Sequence, residues 1–301
     1  MKRLFLLVAL TTPLWADLVR DVRSAGSAKD WAKGDKLIAD FQKTNGWNPD
    51  AIFALSWMAR SAQAASEWDR AEKYASETRQ QALEALKKRK LDEEPKLPLA
   101  LGASIEVQGQ VLAARGQRSE AVAFLNEELK RWHDTSIRTR TQKNLHLLSL
   151  EGKPAPALEV SEYIGAKPVS LAGLKGKPIV LFFWAHWCAD CKAQGPVLAR
   201  LEREYESKGL LIVGPTQRYG YVGGGIDATK AEETKYIAQI REQFYGPLTM
   251  TVPLSEENFK RWGCSSSPTL GLVDRKGIVR LYHPGQISYE ELKPKIDEIV
   301  K

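Results

Sequence analysis

FFWAHWCADCKAQGP, residues Phe182 to Pro196, places Cys188 and Cys191 three positions apart at the end of an apolar run, in a chain with one other cysteine, Cys264. The run KPIVLFFWA is continuous, β-branched and aromatic, the pattern of a strand buried on both faces. KAQGPVLARLEREYESKG follows with helical spacing, so the cysteines stand where a strand meets a helix. A CxxC pair closes a loop too small to staple a fold. A structural zinc site commonly takes four ligands, and Cys264 with four scattered histidines supplies no second pair. Placement favours redox chemistry instead. Near a helix N-terminus, free N–H groups and the helix dipole stabilise a thiolate on Cys188. An exposed first sulfur can then attack a disulfide, and a second, one turn into the helix, resolves the mixed disulfide.

Outward from this stretch, LLIVGPT reads as a second strand and residues 231–244 as a helix. SPTLGLVDRKGIVRLYH reads as two strands around an Asp-Arg-Lys-Gly turn, and SYEELKPKIDEIVK as a closing helix. That order predicts an α/β layout with a mixed sheet. Upstream, Gly152, Pro154 and Pro156 in EGKPAPALEVSEY break the periodicity and mark a boundary, giving domains at 17–150 and 153–301. Residues 17–150 read as helical throughout. Ile52, Leu55, Met58 and Ala59 fall at helical spacing after a start signal at Asn48-Pro49. EWDRAEKYA and GQRSEAVAFL resemble second helices of tetratricopeptide hairpins, with Ala71 and Ala121 as the small packing residues. Their separation of fifty positions is not that of a regular array, and a generic helical bundle fits equally well.

The opening MKRLFLLVALTTPLWAD has a basic start, a short apolar stretch and a small-residue end, the layout of a signal peptide over residues 1–16. The apolar stretch is too short to span a bilayer, and no cysteine follows it to take a lipid. The expectation is a mature chain starting near Asp17, secreted or periplasmic, without a membrane span. The net charge of +7 is spread among 44 basic and 37 acidic residues, with no basic run interleaved with aromatics. A nucleic-acid partner is therefore not expected.

FWAHWCADCK resembles the FWAxWCxxC motif of thioredoxin-fold proteins. Pro196, five residues after Cys191, matches the proline of their first helix, and SSSPTLGLVD matches the loop whose cis-proline faces the disulfide. The lead-in PAPALEVSEYIGAKPVSLAGLKGKPIVLFFWA resembles the TlpA/ResA-like branch of the redoxin (AhpC/TSA-related) family. The resemblance covers about residues 153–301. It implies an α/β thioredoxin fold with a mixed central sheet, here preceded by an all-α helical-hairpin domain. It also implies a β-hairpin before the core and an extra helix inserted within about 217–246. Cys188 would be the nucleophile, Cys191 the resolving thiol and Pro268 the cis-proline. Trp187, Ser267 and Thr269 would contact substrate, and Trp184 would support the site from the strand end. The implied activity is exchange of protein thiols and disulfides with a further, unidentified redox partner. No metal or organic cofactor is required; the helical domain lies outside the resemblance, and a protein partner on it stays open.

Departures from the family pattern bear on direction. Phe182 stands where many thioredoxins carry a buried Asp, and Asp190 where a proline is common. A carboxylate beside the pair disfavours the thiolate, and a less stable thiolate makes a poorer oxidant. Protonated His186 would push the other way, but its motif position reads as surface-facing. The balance leans towards a reductase. Two other readings stand lower. A thiol peroxidase of the same superfamily would carry Thr where Ala185 stands, and a scaffold with a docking-only redox module would not need the intact CxxC. Cys264 reads as a core filler, and His133, His146 and His283 as surface or capping residues. YGYVGGGID reads as a flexible lip near the site, with Tyr219 and Tyr221 towards partners; it lacks the lysine of a phosphate loop.

Overall fold

The computed structural model describes residues 18–301; the expected signal segment lies outside them. The chain divides into two compact units, the first ending at Val111 and the second Leu112–Lys301.

The first unit is built from helices α1 (Leu18–Ser27), α2 (Trp31–Asn45), α3 (Pro49–Ala64), α4 (Trp68–Ala85) and most of α5 (Lys96–Ala114). Asn48 starts α3 by accepting the Ala51 N–H at 3.1 Å, with Pro49 at the first helical position, where its missing N–H costs nothing. Leu55, Met58 and Ala59 then pack with Ala71, Tyr74 and Ala75 of α4 in one core. Ala71 is fully buried, as a small residue at a helix–helix contact must be. By length and apolarity α5 could cross a membrane, but over half of it is buried, including Leu97, Leu101 and Ile105.

The second unit begins with α6 (Arg118–Arg131) and α7 (Arg138–Ser149), followed by β1 (Tyr163–Ile164), β2 (Ile179–Phe183) and α8 (Ala189–Glu204). Then come β3 (Leu211–Val213), the short hairpin β4 (Tyr221–Val222) and β5 (Ile226–Asp227), and α9 (Lys230–Tyr245). It closes with β6 (Val252–Pro253), α10 (Glu256–Trp262), β7 (Thr269–Val273), β8 (Val279–Pro284) and α11 (Tyr289–Ile299). The central sheet has the order β3-β2-β7-β8, with β2 parallel to β3 and the other pairs antiparallel. This is the mixed sheet the resemblance implies. All five residues of β2 are buried, and they alternate between two cores as strand geometry requires. Val180 and Phe182 enter the core shared with α8, α9 and α11, while Ile179, Leu181 and Phe183 enter the one shared with α10.

Three features differ from the sequence reading. No hairpin precedes the core among the described residues. Instead residues 152–155 run beside the start of β8, and β1 pairs antiparallel with β6 on the far side. Asn258 explains the route between them: its side chain accepts the Glu159 N–H at 2.7 Å and donates to the Glu159 carbonyl at 2.9 Å. The lead-in backbone is thus satisfied without a hairpin partner. The helix α10 is an addition to the predicted layout. The glycine-rich lip is an ordered hairpin, with Gly224 and Gly225 at φ 77° and 75° forming its turn.

Helix α7 is docked onto the β-rich part of its own unit. Arg138 forks onto the Glu257 carboxylate at 2.9 and 3.1 Å, and His146 Nε2 donates to the Arg261 carbonyl at 2.9 Å. His146 therefore caps α10 while its ring meets Tyr282 edge-on at 5.5 Å. Gly263 ends α10 in the left-handed conformation, φ 64°, and a Cβ there would lie 2.4 Å from the Lys143 nitrogen of α7. Both the conformation and the closeness require glycine.

Candidate active site

The site is built at the C-terminal end of β2. Trp184 leaves the strand fully buried, donating its indole N–H to the Gly214 carbonyl at 2.9 Å, while its own carbonyl accepts the Thr216 hydroxyl at 2.8 Å. The turn that follows delivers Cys188 to the N-cap of α8. Its sulfur accepts the Cys191 N–H at 3.0 Å, and the two cysteines form a disulfide. Cys188 keeps 4% exposure and Cys191 none, so access to the pair is through the first sulfur, although less openly than its role suggested. Gly195, on the next turn of α8, lets α9 approach closely, since a Cβ there would stand 3.0 Å from the Tyr245 ring. Tyr245 in turn packs edge-on against Phe182 at 5.6 Å and Trp184 at 5.0 Å.

The Ser267–Pro268 peptide bond is cis. Antiparallel pairing of Phe183 with Thr269 brings Pro268, the residue before Thr269, to the end of β2 from which the CxxC turn departs. Trp187 is half exposed at the rim and Ser267 half buried beside Pro268. Thr269 turns its side chain inward, donating its hydroxyl to the Ser266 carbonyl at 2.7 Å. Asp190 is exposed on the first turn of α8. Cys264 is free and buried, and that burial pushes its thiol well above the usual range, in keeping with a core filler.

His186 departs from the surface position that its place in the motif predicts. It does not face the surface: its ring is 1% exposed and its Nε2 donates to Glu233 Oε1 at 3.2 Å, the carboxylate being equally buried. Tyr219, Tyr221 and Tyr236 surround the ring edge-on at 5.4 to 5.6 Å. A polar residue inside a CxxC turn carries no mark of burial, and its partner lies 47 residues away on α9. Glu233 also accepts the N–H groups of Tyr219 at 2.5 Å and Gly220 at 2.9 Å. Tyr219 and Tyr221, read as partner-facing, are half buried here against His186.

Residues 152–281 match the AhpC/TSA family. That span is an AhpC/TSA redoxin domain. Among relatives of the redoxin domain, the thioredoxin-like protein YneN of Bacillus subtilis is 28% identical over 148 residues, 49% of this chain and 79% of that protein. The thiol:disulfide interchange protein DsbE of Pseudomonas fluorescens is 28% identical over 154 residues, 50% of this chain and 77% of its own. The thiol-disulfide oxidoreductase ResA of Bacillus thuringiensis is 28% identical over 151 residues, covering 50% and 76%. A solved thiol:disulfide interchange protein of the thioredoxin family from Chlorobium tepidum aligns over 50% of this chain and 98% of its own at 20% identity, TM-score 0.41. The redoxin domain thus belongs with the thiol:disulfide oxidoreductases of the thioredoxin superfamily.

Two buried imidazoles give this unit a pH dependence. Burial is the main cause holding both His146 and His186 below the ordinary histidine value of 6.5. Below pH 6.5 the unfolded chain therefore binds more protons than the folded one, and stability falls as pH is lowered. The urea midpoint is expected to be lower at pH 5.5 than at pH 7.5, with a smaller difference in His146→Gln. An unchanged or higher midpoint at pH 5.5 would contradict these assignments.

Proposed function

We propose that this protein is an exported thiol:disulfide oxidoreductase that reduces disulfides in other proteins. The observation that carries the reading is Cys188 at the N-cap of α8, with the Cys191 N–H directed at its sulfur at 3.0 Å. In the reduced protein the same N–H and helix terminus would stabilise a Cys188 thiolate. That thiolate attacks one sulfur of a substrate disulfide, forming a mixed disulfide and releasing the first substrate thiolate, which takes up a proton. Cys191 then loses its proton and attacks the Cys188 sulfur, releasing the second substrate thiol and re-forming the Cys188–Cys191 bond. Two electrons pass to the substrate, and a thiol donor must return the pair to its dithiol form.

The lean towards reduction rests on the surroundings of the pair. With its titration pushed below 6.5, His186 is neutral at pH 7 and adds no positive charge to favour the thiolate. Exposed Asp190 adds a negative one, which salt screens. Neither condition favours the strongly stabilised thiolate of an oxidant. Export rests on the signal-like first sixteen residues.

The test is reduction of insulin disulfides by the dithiol form, with the CxxC redox potential and peroxide consumption measured alongside. Insulin reduction with little peroxide turnover is the expected result. Peroxide turnover without insulin reduction would replace this reading with the peroxidase one.

A further inference from the structure

Residues 217–246 bring the segment Gln217–Val222 and helix α9 to the redox pair, and one tyrosine of that segment joins all the parts of the site. The Tyr219 ring packs edge-on against Trp187 at 5.5 Å and against His186 at 5.6 Å. Its phenol lies beside the Ser267 side chain, next to Pro268, and burial keeps it protonated well beyond neutral pH. Tyr219 therefore spans from the CxxC turn to the cis-proline loop. Its backbone is held by Glu233, which gathers two loop N–H groups and the His186 ring on one carboxylate. A carboxylate and an imidazole at 1% exposure are costly to bury, and this trio of hydrogen bonds is what offsets that cost. Hydrogen bonds from a fixed helix to a loop are a positioning device.

We propose that Tyr219 forms the side wall of a substrate cleft bounded by Trp187 and Ser267, and that the buried His186–Glu233 pair is the latch holding it there. The cleft takes an extended polypeptide segment carrying a cystine sulfur, with an apolar side chain set against the half-exposed Trp187 and the Tyr219 ring. A rigid aromatic wall favours such a segment because it supplies apolar contact area at little entropic cost. It offers nothing to a small disulfide that reaches the Cys188 sulfur without touching the rim. His186 and Glu233 act through Tyr219 and are positioning residues.

This inference rests on the thiol:disulfide reading, and its test keeps the two apart. The reduced full-length protein is assayed against insulin and against oxidised glutathione as wild type, Tyr219→Ala, Tyr219→Phe, His186→Phe and Glu233→Gln. Tyr219→Ala should raise KM for insulin roughly 10-fold while the glutathione rate stays within about two-fold. Tyr219→Phe, which keeps the ring, should stay near wild type. His186→Phe and Glu233→Gln should show the same split as Tyr219→Ala; should either fail to fold by circular dichroism, Tyr219→Ala and Tyr219→Phe decide. An unchanged KM for insulin, or parallel loss against both substrates, would overturn the cleft while leaving the oxidoreductase standing. A wild type that reduces neither disulfide would overturn both.

Discussion

Cys188→Ser is expected to abolish insulin reduction, lowering turnover at least ~10³-fold, as removal of a nucleophile generally does. The helix terminus that stabilises a thiolate cannot make a serine hydroxyl anionic near neutral pH, and an oxygen in that place cannot form the sulfur–sulfur bond of the mixed disulfide. Cys191→Ser should fail differently. It retains the attacking sulfur, and with it the first step, but lacks the resolving thiol. A covalent adduct with insulin chains should therefore accumulate and be released by dithiothreitol on a gel. Insulin turnover by Cys188→Ser at the wild-type rate would move the chemistry away from this pair altogether. Adduct formation by Cys188→Ser, with none by Cys191→Ser, would reverse the assigned roles.

The largest structural loss is expected at Trp262. Its indole is fully buried, lies 5.6 Å from the Phe183 ring of β2, and donates its N–H to the Pro156 carbonyl at 3.1 Å. It also fills the space left by Gly271, where a Cβ would come within 3.1 Å of the ring. Trp262→Ala removes the transfer energy of the side chain, leaves a cavity between α10 and the sheet, and strips the lead-in segment of a hydrogen bond. The expected cost is ~3–5 kcal/mol, read from the urea midpoint of the second unit's unfolding. Protein that remains folded should keep its insulin-reducing activity, because Trp262 lies in the core between α10 and the sheet and not in the one that contains Cys188 and Cys191. A change below ~1 kcal/mol would show that the site collapses around the missing ring.

What the sequence made legible was whatever depended on local pattern. Ile179–Phe183 is buried on both sides, and that burial is written into its unbroken apolar run. Cys188, Cys191 and Pro268 sit in motifs short enough to read directly. What it hid were pairings across distance. Nothing in AHWC says that His186 is enclosed, because the enclosure is made by Glu233 and three tyrosines on a later segment. The route of residues 152–164 is hidden for a similar reason. Proline and glycine spacing marks the end of a helix, but the Asn258 amide that carries the chain across the sheet comes about one hundred positions later. Helix α10 leaves no periodic signal, because its seven residues are too few to establish a helical period.

The contact of α7 with Gly263 and Arg261 changes what should count as the transferable piece of this protein. A cut at the Gly152–Pro156 punctuation would yield a fragment with the whole CxxC machinery and a raw wound. It would strip the Arg261 carbonyl of its imidazole cap and leave Glu257 without the Arg138 fork. The glycine at 263 would then be a conformational cost with no neighbour to justify it. Grafting or expressing the redox half on its own therefore calls for a cut near Leu112, taking α6 and α7 along as its outer skin.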